Sequence, residues 1–194
     1  SLSYGSADTK FSAQVEKIKQ ATATIRTTSG HGSGFVISHN GYVLTNQHVV
    51  NGSRRLIVII QGKEHVANLV KFDSQRDVAL LKIEGEFIGR AVKVSRKQVK
   101  LGEKIFVIGT PLDEALDFSI SSGIISAKRE VKGNSYYQTD AAVNPGNSGG
   151  PVFDESGNVI GMTVSGYFTK NGGSRNINYL IPIEDALETL GIVE

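Results

Sequence analysis

The spacing of hydrophobic residues along this chain changes twice, and the changes divide the chain into three parts. Apolar residues recur at helical spacing within residues 8–20, which predicts one short surface helix. From residue 22 onward they alternate with polar residues or form short β-branched runs, a pattern typical of strands. Residues 183–190 follow helical spacing again, and Gly191 is a typical helix stop.

About a dozen short strands are predicted between the two helices. They lie near residues 22–28, 33–38, 42–45, 55–61, 64–72, 77–84, 91–94, 104–110, 118–128, 134–139, 150–154, 158–167 and 177–182. Turn signals such as Asn40-Gly41 separate them at fairly regular intervals. Many short strands with helices only at the chain ends indicate an all-β sandwich or barrel, not a parallel α/β sheet.

Apolar density falls across residues 85–100, which predicts a boundary between two all-β halves. The predicted division is an N-terminal segment with a short helix (1–21), a first half (22–95) and a second half with the C-terminal helix (96–194). The sequence shows no internal repeat between the halves that is strong enough to claim.

Composition narrows the classes of partner and site. The 194 residues are 39% hydrophobic with 22 glycines, which suits a globular protein with many turns. A net charge of +2 with mixed signs predicts no nucleic-acid partner, and the absence of cysteine excludes disulfides and thiolate metal sites. No run approaches about 20 apolar residues, so no membrane span is predicted. The chain starts without Met or an apolar signal segment, so it is expected to be a processed or excised piece.

The four histidines lack the spacing of a metal site, and no metal is predicted. His39 in a turn and His65 at a strand edge are expected to be solvated. His31 lies in a glycine-rich run that is not a phosphate loop, because no Lys-Ser/Thr and no helix follow it. His48 follows an apolar strand at a chain turn, where it could reach a cleft or simply bond to the backbone.

Asp77 begins the apolar strand predicted at 77–84, where a carboxylate needs a partner such as an imidazole N–H. Asp77 could equally be a turn or cap residue. Asp73 competes for the same role, but it lies in a more polar run and is expected to be solvated.

The glycine- and proline-rich stretch of residues 144–151 contains a single serine, Ser148. Glycines there can expose backbone N–H groups beside the hydroxyl, an arrangement that suits a nucleophile next to an oxyanion hole. The alternative interpretation is a tight turn that the serine only caps.

Four segments in this order resemble the HtrA/DegP family of trypsin-like serine proteases. They are Gly32-Ser33-Gly34-Phe35-Val36, Gly41-Tyr42-Val43-Leu44-Thr45-Asn46-Gln47-His48-Val49-Val50, Asp77-Val78-Ala79-Leu80-Leu81-Lys82-Ile83, and Gln138-Thr139-Asp140-Ala141-Ala142-Val143-Asn144-Pro145-Gly146-Asn147-Ser148-Gly149-Gly150-Pro151. The resemblance implies two six-stranded antiparallel β-barrels of the chymotrypsin type, with short terminal helices and an active site between the barrels.

The resemblance also implies the roles of individual residues. Ser148 would be the nucleophile, His48 the general base and Asp77 its orienting partner. The backbone N–H groups of Gly146 and Ser148, with Asn147, would form the oxyanion hole. Digestive relatives carry an aspartate just before the nucleophile, which pairs with a new N-terminus after cleavage. Asn147 is neutral, so activation by N-terminal insertion is not expected.

The substrate pocket implied by the resemblance contains no carboxylate, so cleavage after small or medium apolar residues is expected. Its predicted residues are Ala142, Val143, Ser165, Gly166 and Tyr167. No cofactor is expected, and the substrates would be unfolded or damaged polypeptides.

The family further implies a homo-oligomer, a PDZ domain beyond the C-terminus and a location in the bacterial periplasm or cell envelope. Residues 1–21 lack the aromatic-rich arm through which family members often form trimers. A different class of function is a trypsin-fold module that binds extended peptides, or regulates a larger protein, without catalysis.

Overall fold

The computed structural model describes residues 11–110, 118–144, 146–164 and 178–192. The elements in chain order are a 3₁₀ turn (Ser12–Gln14), α1 (Val15–Lys19), β1 (Thr22–Thr27), β2 (Gly30–Val36), β3 (Tyr42–Thr45), α2 (Gln47–Val50), β4 (Arg55–Ile60), β5 (Lys63–Asp73), β6 (Val78–Ile83), β7 (Lys93–Val94), β8 (Lys104–Gly109), β9 (Ser119–Val131), β10 (Asn134–Thr139), β11 (Pro151–Phe153), β12 (Asn158–Val164), β13 (Asn178–Pro182) and α3 (Ile183–Thr189). No helix in these ranges is long and apolar enough to cross a membrane.

Strands β1 to β6 form the first barrel, which closes in the order β1-β2-β3-β6-β5-β4. Alternating sequences produce it: in β4, Leu56, Val58 and Ile60 are buried while Arg55 is exposed. The inward side chains of the six strands form one apolar cluster that also includes Val49. Closure leaves every strand paired on both sides, so the barrel has no open sheet edge.

Strands β8 to β13 form the second barrel with the same cyclic order, β8-β9-β10-β13-β12-β11, closed by pairing of β11 with β12. The two-residue strand β7 adds to β12 in parallel. The two halves therefore share one topology, although their sequences show no repeat that is strong enough to claim. This architecture confirms the predicted fold class of two six-stranded antiparallel barrels.

A separate apolar cluster joins the two barrels. Phe35 and Leu44 of the first barrel pack there with Phe153 and Met162 of the second, together with residues from the terminal helices. All four side chains are fully buried, so the cluster belongs to both halves. Burying each such side chain contributes roughly 1.5–3 kcal/mol to folding.

The structure corrects one prediction, that helices occur only at the chain ends. His48 lies in α2 and not at the end of a strand. The four residues of this helix are too few for periodicity to reveal, and two of them are β-branched valines, which favour strands.

The division at residues 95 and 96 remains a prediction. The structure shows that β7, just before that boundary, pairs with β12 of the second barrel.

Candidate active site

His48 is held on the short helix between β3 and β4. Asn46 has an extended backbone (φ −77°, ψ 147°) and leads into α2, and Asn51 ends the helix in the left-handed conformation. Val49 and Val50 anchor the helix because they pack into the core of the first barrel. The His48 side chain remains 36% exposed, so α2 fixes its backbone while leaving the imidazole accessible.

Asp77 pairs with His48 through two hydrogen bonds. Nδ1 of His48 lies 2.7 Å from Oδ2 of Asp77, and the backbone N–H of His48 donates to Oδ1 at 2.9 Å. A carboxylate accepts, so its position favours the tautomer with the proton on Nδ1. Nε2 is then the imidazole nitrogen that can accept a proton.

The backbone of Asp77 is held in an unusual conformation. Its φ of 66° lies in the left-handed region, which aspartate tolerates better than most residues. The side-chain amide of Asn46 donates to the Asp77 carbonyl at 2.9 Å. The sequence-based expectation that Asp77 has an imidazole partner agrees with this geometry. Asp73 instead accepts the backbone N–H of Arg76 at 2.7 Å inside the β5–β6 turn.

Ser148 comes from the second barrel, on the connection between β10 and β11. Its carbonyl accepts the backbone N–H of Ser33 on β2 at 2.9 Å, which ties the loop to the first barrel. The N–H of Gly149 donates to the Thr163 carbonyl at 2.9 Å. Gly149 has a φ of 83°, and a side chain there would meet the Ser33 carbonyl and, at 2.6 Å, the Thr45 hydroxyl. Only glycine therefore fits where the loop crosses the first barrel.

Gly32 marks the place where Ser148 and the helix of His48 meet. A Cβ on Gly32 would lie 2.6 Å from Cγ2 of Val49 and 3.3 Å from the Ser148 carbonyl oxygen. Since Val49 is the neighbour of His48, the structure brings all three predicted triad residues to one region between the barrels.

The turn around Gly146 and Asn147 is held by backbone hydrogen bonds. The N–H of Asn147 donates to the Asn144 carbonyl at 3.0 Å, so this predicted oxyanion donor is engaged inside the turn. Gly146 has a φ of 97°, and its carbonyl accepts the Ser33 hydroxyl at 2.6 Å. The hydrogen bond from Asn147 to Asn144 does not involve the other two predicted donors, the backbone N–H groups of Gly146 and Ser148.

The predicted pocket residues are described only in part. Ala142 is exposed and Val143 half-buried, both on the connection that leads to Ser148. The Ala142 carbonyl accepts the Ser121 hydroxyl of β9 at 2.7 Å, which fixes the start of this connection. Ser165, Gly166 and Tyr167 lie outside the described residues.

The remaining histidines make no hydrogen bond to Asp77 among the contacts observed in the described residues. His31 and His39 are exposed. His65 was expected to be solvated at a strand edge. It is half-buried: β5 pairs with β4 at this residue, and the ring packs edge-on against Phe87. Burial, followed by the charge of Lys63, lowers the pKa of His65. Across the described ranges, no three His, Cys, Asp or Glu side chains are grouped as metal ligands would be.

Comparison with known proteins supports a common origin for this arrangement. A family model described as the trypsin-like peptidase domain matches residues 32–162, most of the chain. The chain belongs to this family. Its peptidase domain is similar to a protein of Pseudomonas savastanoi pv. phaseolicola named probable periplasmic serine endoprotease DegP-like. The two are 41% identical over 168 residues, or 84% of this chain and 34% of that protein.

Further relatives agree with this placement. A protein of Ectopseudomonas mendocina with the same name is 43% identical over 162 residues, or 81% of this chain and 34% of the relative. A solved structure of the HtrA-type protease AlgW with a tripeptide superposes with a TM-score of 0.82 at 36% identity, covering 93% of this chain and 62% of AlgW. The resemblance to HtrA/DegP-type serine proteases is confirmed, and the chain spans about a third of the length of these curated relatives.

Sequence reasoning missed several residues that shape the candidate site. Asn46 and Ser33 lie inside motifs that pointed to the family, but their side-chain hydrogen bonds to Asp77 and Gly146 join segments distant in sequence. Gly109 was also missed: a side chain there would collide with the amide of Asn147. A single sequence carries no signal for these contacts, because each depends on how segments distant in the chain fold together, within one barrel or between the two.

Proposed function

We propose that this chain is the catalytic part of a periplasmic serine endopeptidase that hydrolyses peptide bonds of unfolded or damaged proteins. The observation that carries the proposal is the bonded pair of His48 and Asp77 on one barrel, with Ser148 brought beside their helix by the other. The periplasmic location and the endopeptidase activity are supported by the names of the relatives.

In the proposed mechanism, the Ser148 hydroxyl attacks the carbonyl carbon of the scissile peptide bond. Nε2 of His48 takes the hydroxyl proton and then delivers it to the leaving amine, which leaves an acyl-enzyme. Water enters by the same general-base step and releases the acid. Asp77 keeps Nδ1 protonated and stabilises the imidazolium that forms during both steps.

The negative charge on the tetrahedral intermediate would be stabilised by the backbone N–H groups of Gly146 and Ser148. Losing one such donor typically costs about 3 kcal/mol of transition-state stabilisation. Asn147 is dropped from the predicted set of donors because its N–H is engaged with Asn144. The neutral amide of Asn147, buried against Gly109, supports a site that needs no new N-terminus for activation.

The proposed substrate preference is a small or medium apolar residue before the cleaved bond. Ala142 and Val143 would form one wall of the pocket, and neither carries charge. The other proposed wall consists of Ser165, Gly166 and Tyr167. The strand at 162–166 was predicted to pair with the substrate backbone, but Met162 and Thr163 already pair on both sides within the barrel, so the proposed added strand is limited to the residues after Thr163. The AlgW structure, solved with a tripeptide, supports a peptide ligand. A homo-oligomer and a further domain remain proposals for the whole protein.

The test combines covalent labelling with proteolysis. Wild type and Ser148→Ala are incubated with a fluorophosphonate probe and with unfolded casein, and cleavage sites are mapped by mass spectrometry. Wild type is expected to be labelled at Ser148 and to cut after apolar residues, and Ser148→Ala should do neither. Ser156→Ala, at an exposed serine, is the matched control and should behave as wild type.

Two results would overturn the proposal. Equal cleavage by Ser148→Ala would assign the activity to another group or to a contaminant. Peptide binding by a folded wild-type protein without labelling under any condition would instead establish a non-catalytic binding module.

A further inference from the structure

Arg76 is a buried cation in a surface turn. It lies between β5 and β6 and directly precedes Asp77. Its neighbours Ser74 and Gln75 are exposed, but Arg76 is only 4% exposed. Arginine is almost never buried to this extent without a specific set of partners.

Among the described residues, the hydrogen bond, ring contact and ion pair of the Arg76 side chain are all with the second barrel or its helix, while the charge of Asp73 on β5 also acts on the guanidinium. Nη2 donates to the Ser135 carbonyl on β10. The guanidinium lies over the Tyr136 ring, 4.6 Å from its centroid, and Nη2 lies 3.7 Å from Oδ2 of Asp185 on α3. One side chain from the first barrel thus reaches three groups across the junction.

The cost of burying this charge indicates a role beyond stability. Nε and Nη1 have no hydrogen-bond partner among the described residues, and burial lowers the pKa of the guanidinium. An apolar side chain of similar size would often stabilise such a position as well or better. Arginine adds directional hydrogen bonding, because the N–H groups of its planar guanidinium donate in fixed directions and so define one position for the turn.

The turn carrying Arg76 also determines the conformation of Asp77. The carbonyl of Gln75 accepts the side-chain amide of Asn134 at 3.1 Å, a second bond between this turn and the β9–β10 hairpin. Asp77 follows in the left-handed conformation, with its carboxylate 2.7 Å from the imidazole. A shift of the turn would therefore act directly on the bond between Asp77 and His48.

We propose that Arg76 is a positioning residue, which anchors the β5–β6 turn to β10 and α3 and so holds Asp77 against His48. The inference rests on the proposed protease function. It assigns a function to the docking of the two barrels at this turn: the second barrel aligns the acid–base pair of the first.

The main test is Arg76→Met, which keeps the length and apolar stem of the side chain but removes its donors. We expect kcat on an activated peptide ester to fall about tenfold with KM within about twofold, since displacing a catalytic group by ~1 Å can cost on the order of 100-fold. The fluorophosphonate labelling rate of Ser148 should fall by the same factor. Arg76→Lys, which restores the charge but not the planar donors, should recover only part of the loss.

A second readout separates positioning from a general structural role. In an Asp77→Asn background the acid–base pair is already impaired, so Arg76→Met should change kcat by less than twofold. A general loosening of the fold would lower kcat by the same factor in both backgrounds. Thermal unfolding of all variants shows whether they remain folded at the assay temperature.

Further variants keep the test decisive if Arg76→Met does not fold. Asp185→Asn and Tyr136→Leu remove partners on the second barrel and should each lower kcat two- to fivefold without changing KM. Arg55→Met, at an exposed arginine on β4, is the matched control and should match wild type.

The inference is overturned if Arg76→Met keeps wild-type kcat, or if it loses kcat equally in both backgrounds. If Arg76→Met fails to fold, wild-type kcat in both Asp185→Asn and Tyr136→Leu overturns it. If the wild-type protein neither cleaves casein nor is labelled by the fluorophosphonate, the proposed function itself has failed. That result is distinct from the outcomes for the Arg76 variants.

Discussion

The two barrels share one strand order but use the same connection in opposite ways. In each barrel the segment between the third and fourth strands reaches the junction. In the first barrel that segment is α2, a helix anchored by Val49 and Val50 that presents His48. In the second it is a glycine-containing loop that presents Ser148, with left-handed φ values at Gly146 and Gly149.

This difference follows from the chemical role proposed for the residue that each barrel presents. An imidazole needs one fixed direction, and the first barrel provides it through the hydrogen bond between Nδ1 of His48 and the Asp77 carboxylate. A nucleophile beside an oxyanion hole needs backbone N–H groups, which a tight loop can expose and a strand cannot. Topology brings the two connections together, while the local sequence decides which group each one presents.

The largest expected effect comes from breaking the side-chain pair on the first barrel. Asp77→Asn keeps the shape of the side chain but no longer favours a proton on Nδ1 of His48. We expect kcat to fall by about 10⁴-fold, with little change in thermal stability, as measured on an activated ester. A loss of less than tenfold would show that the first barrel does not depend on this pair.

A smaller effect is expected from filling the glycine at which the loop of the second barrel crosses the first. Gly149→Ala forces a left-handed alanine against the Ser33 carbonyl and the Thr45 hydroxyl. Left-handed strain and overpacking together should lower the free energy of unfolding by about 3 kcal/mol in denaturant titration.

The matched control for this prediction is Gly133→Ala. Gly133 has a φ of 80° in the β9–β10 turn, and a Cβ there would meet nothing within 4 Å. It should cost only the backbone strain, about 1 kcal/mol. Equal losses at the two glycines would mean that contact with the first barrel contributes nothing.

Among the contacts between the two connections, the smallest effect is expected at Gly32, where they meet. Gly32→Ala places a methyl group 2.6 Å from Val49 and should lower stability by about 1–2 kcal/mol by overpacking. The double variant Gly32→Ala/Val49→Ala removes the clashing atoms. The double variant should therefore lose less free energy of unfolding than the sum of the losses of Gly32→Ala and Val49→Ala. Equality of the two in a double-mutant cycle would contradict the contact.

Much of the fold could be predicted from the sequence because strand formation is local. Residues 42–45 and 134–139 were predicted with the bounds that β3 and β10 have. Elements that depend on distant partners were predicted less well. The helix α2 is too short to show a period, and of the strand predicted near 91–94 only Lys93–Val94 forms, where it pairs with β12. The common strand order of the barrels was invisible, since topology does not require similar sequences.

For the site, the sequence by itself determined which residue types were available and in what order. His48, Asp77 and Ser148 stood out because each lies at the border of an apolar strand within a segment that resembles one family. The tertiary structure alone decided how they are held: the left-handed backbone of Asp77, the amide of Asn46 and the guanidinium of Arg76. These contacts join residues that are far apart in the chain, and only the closure and docking of two barrels brings such residues together.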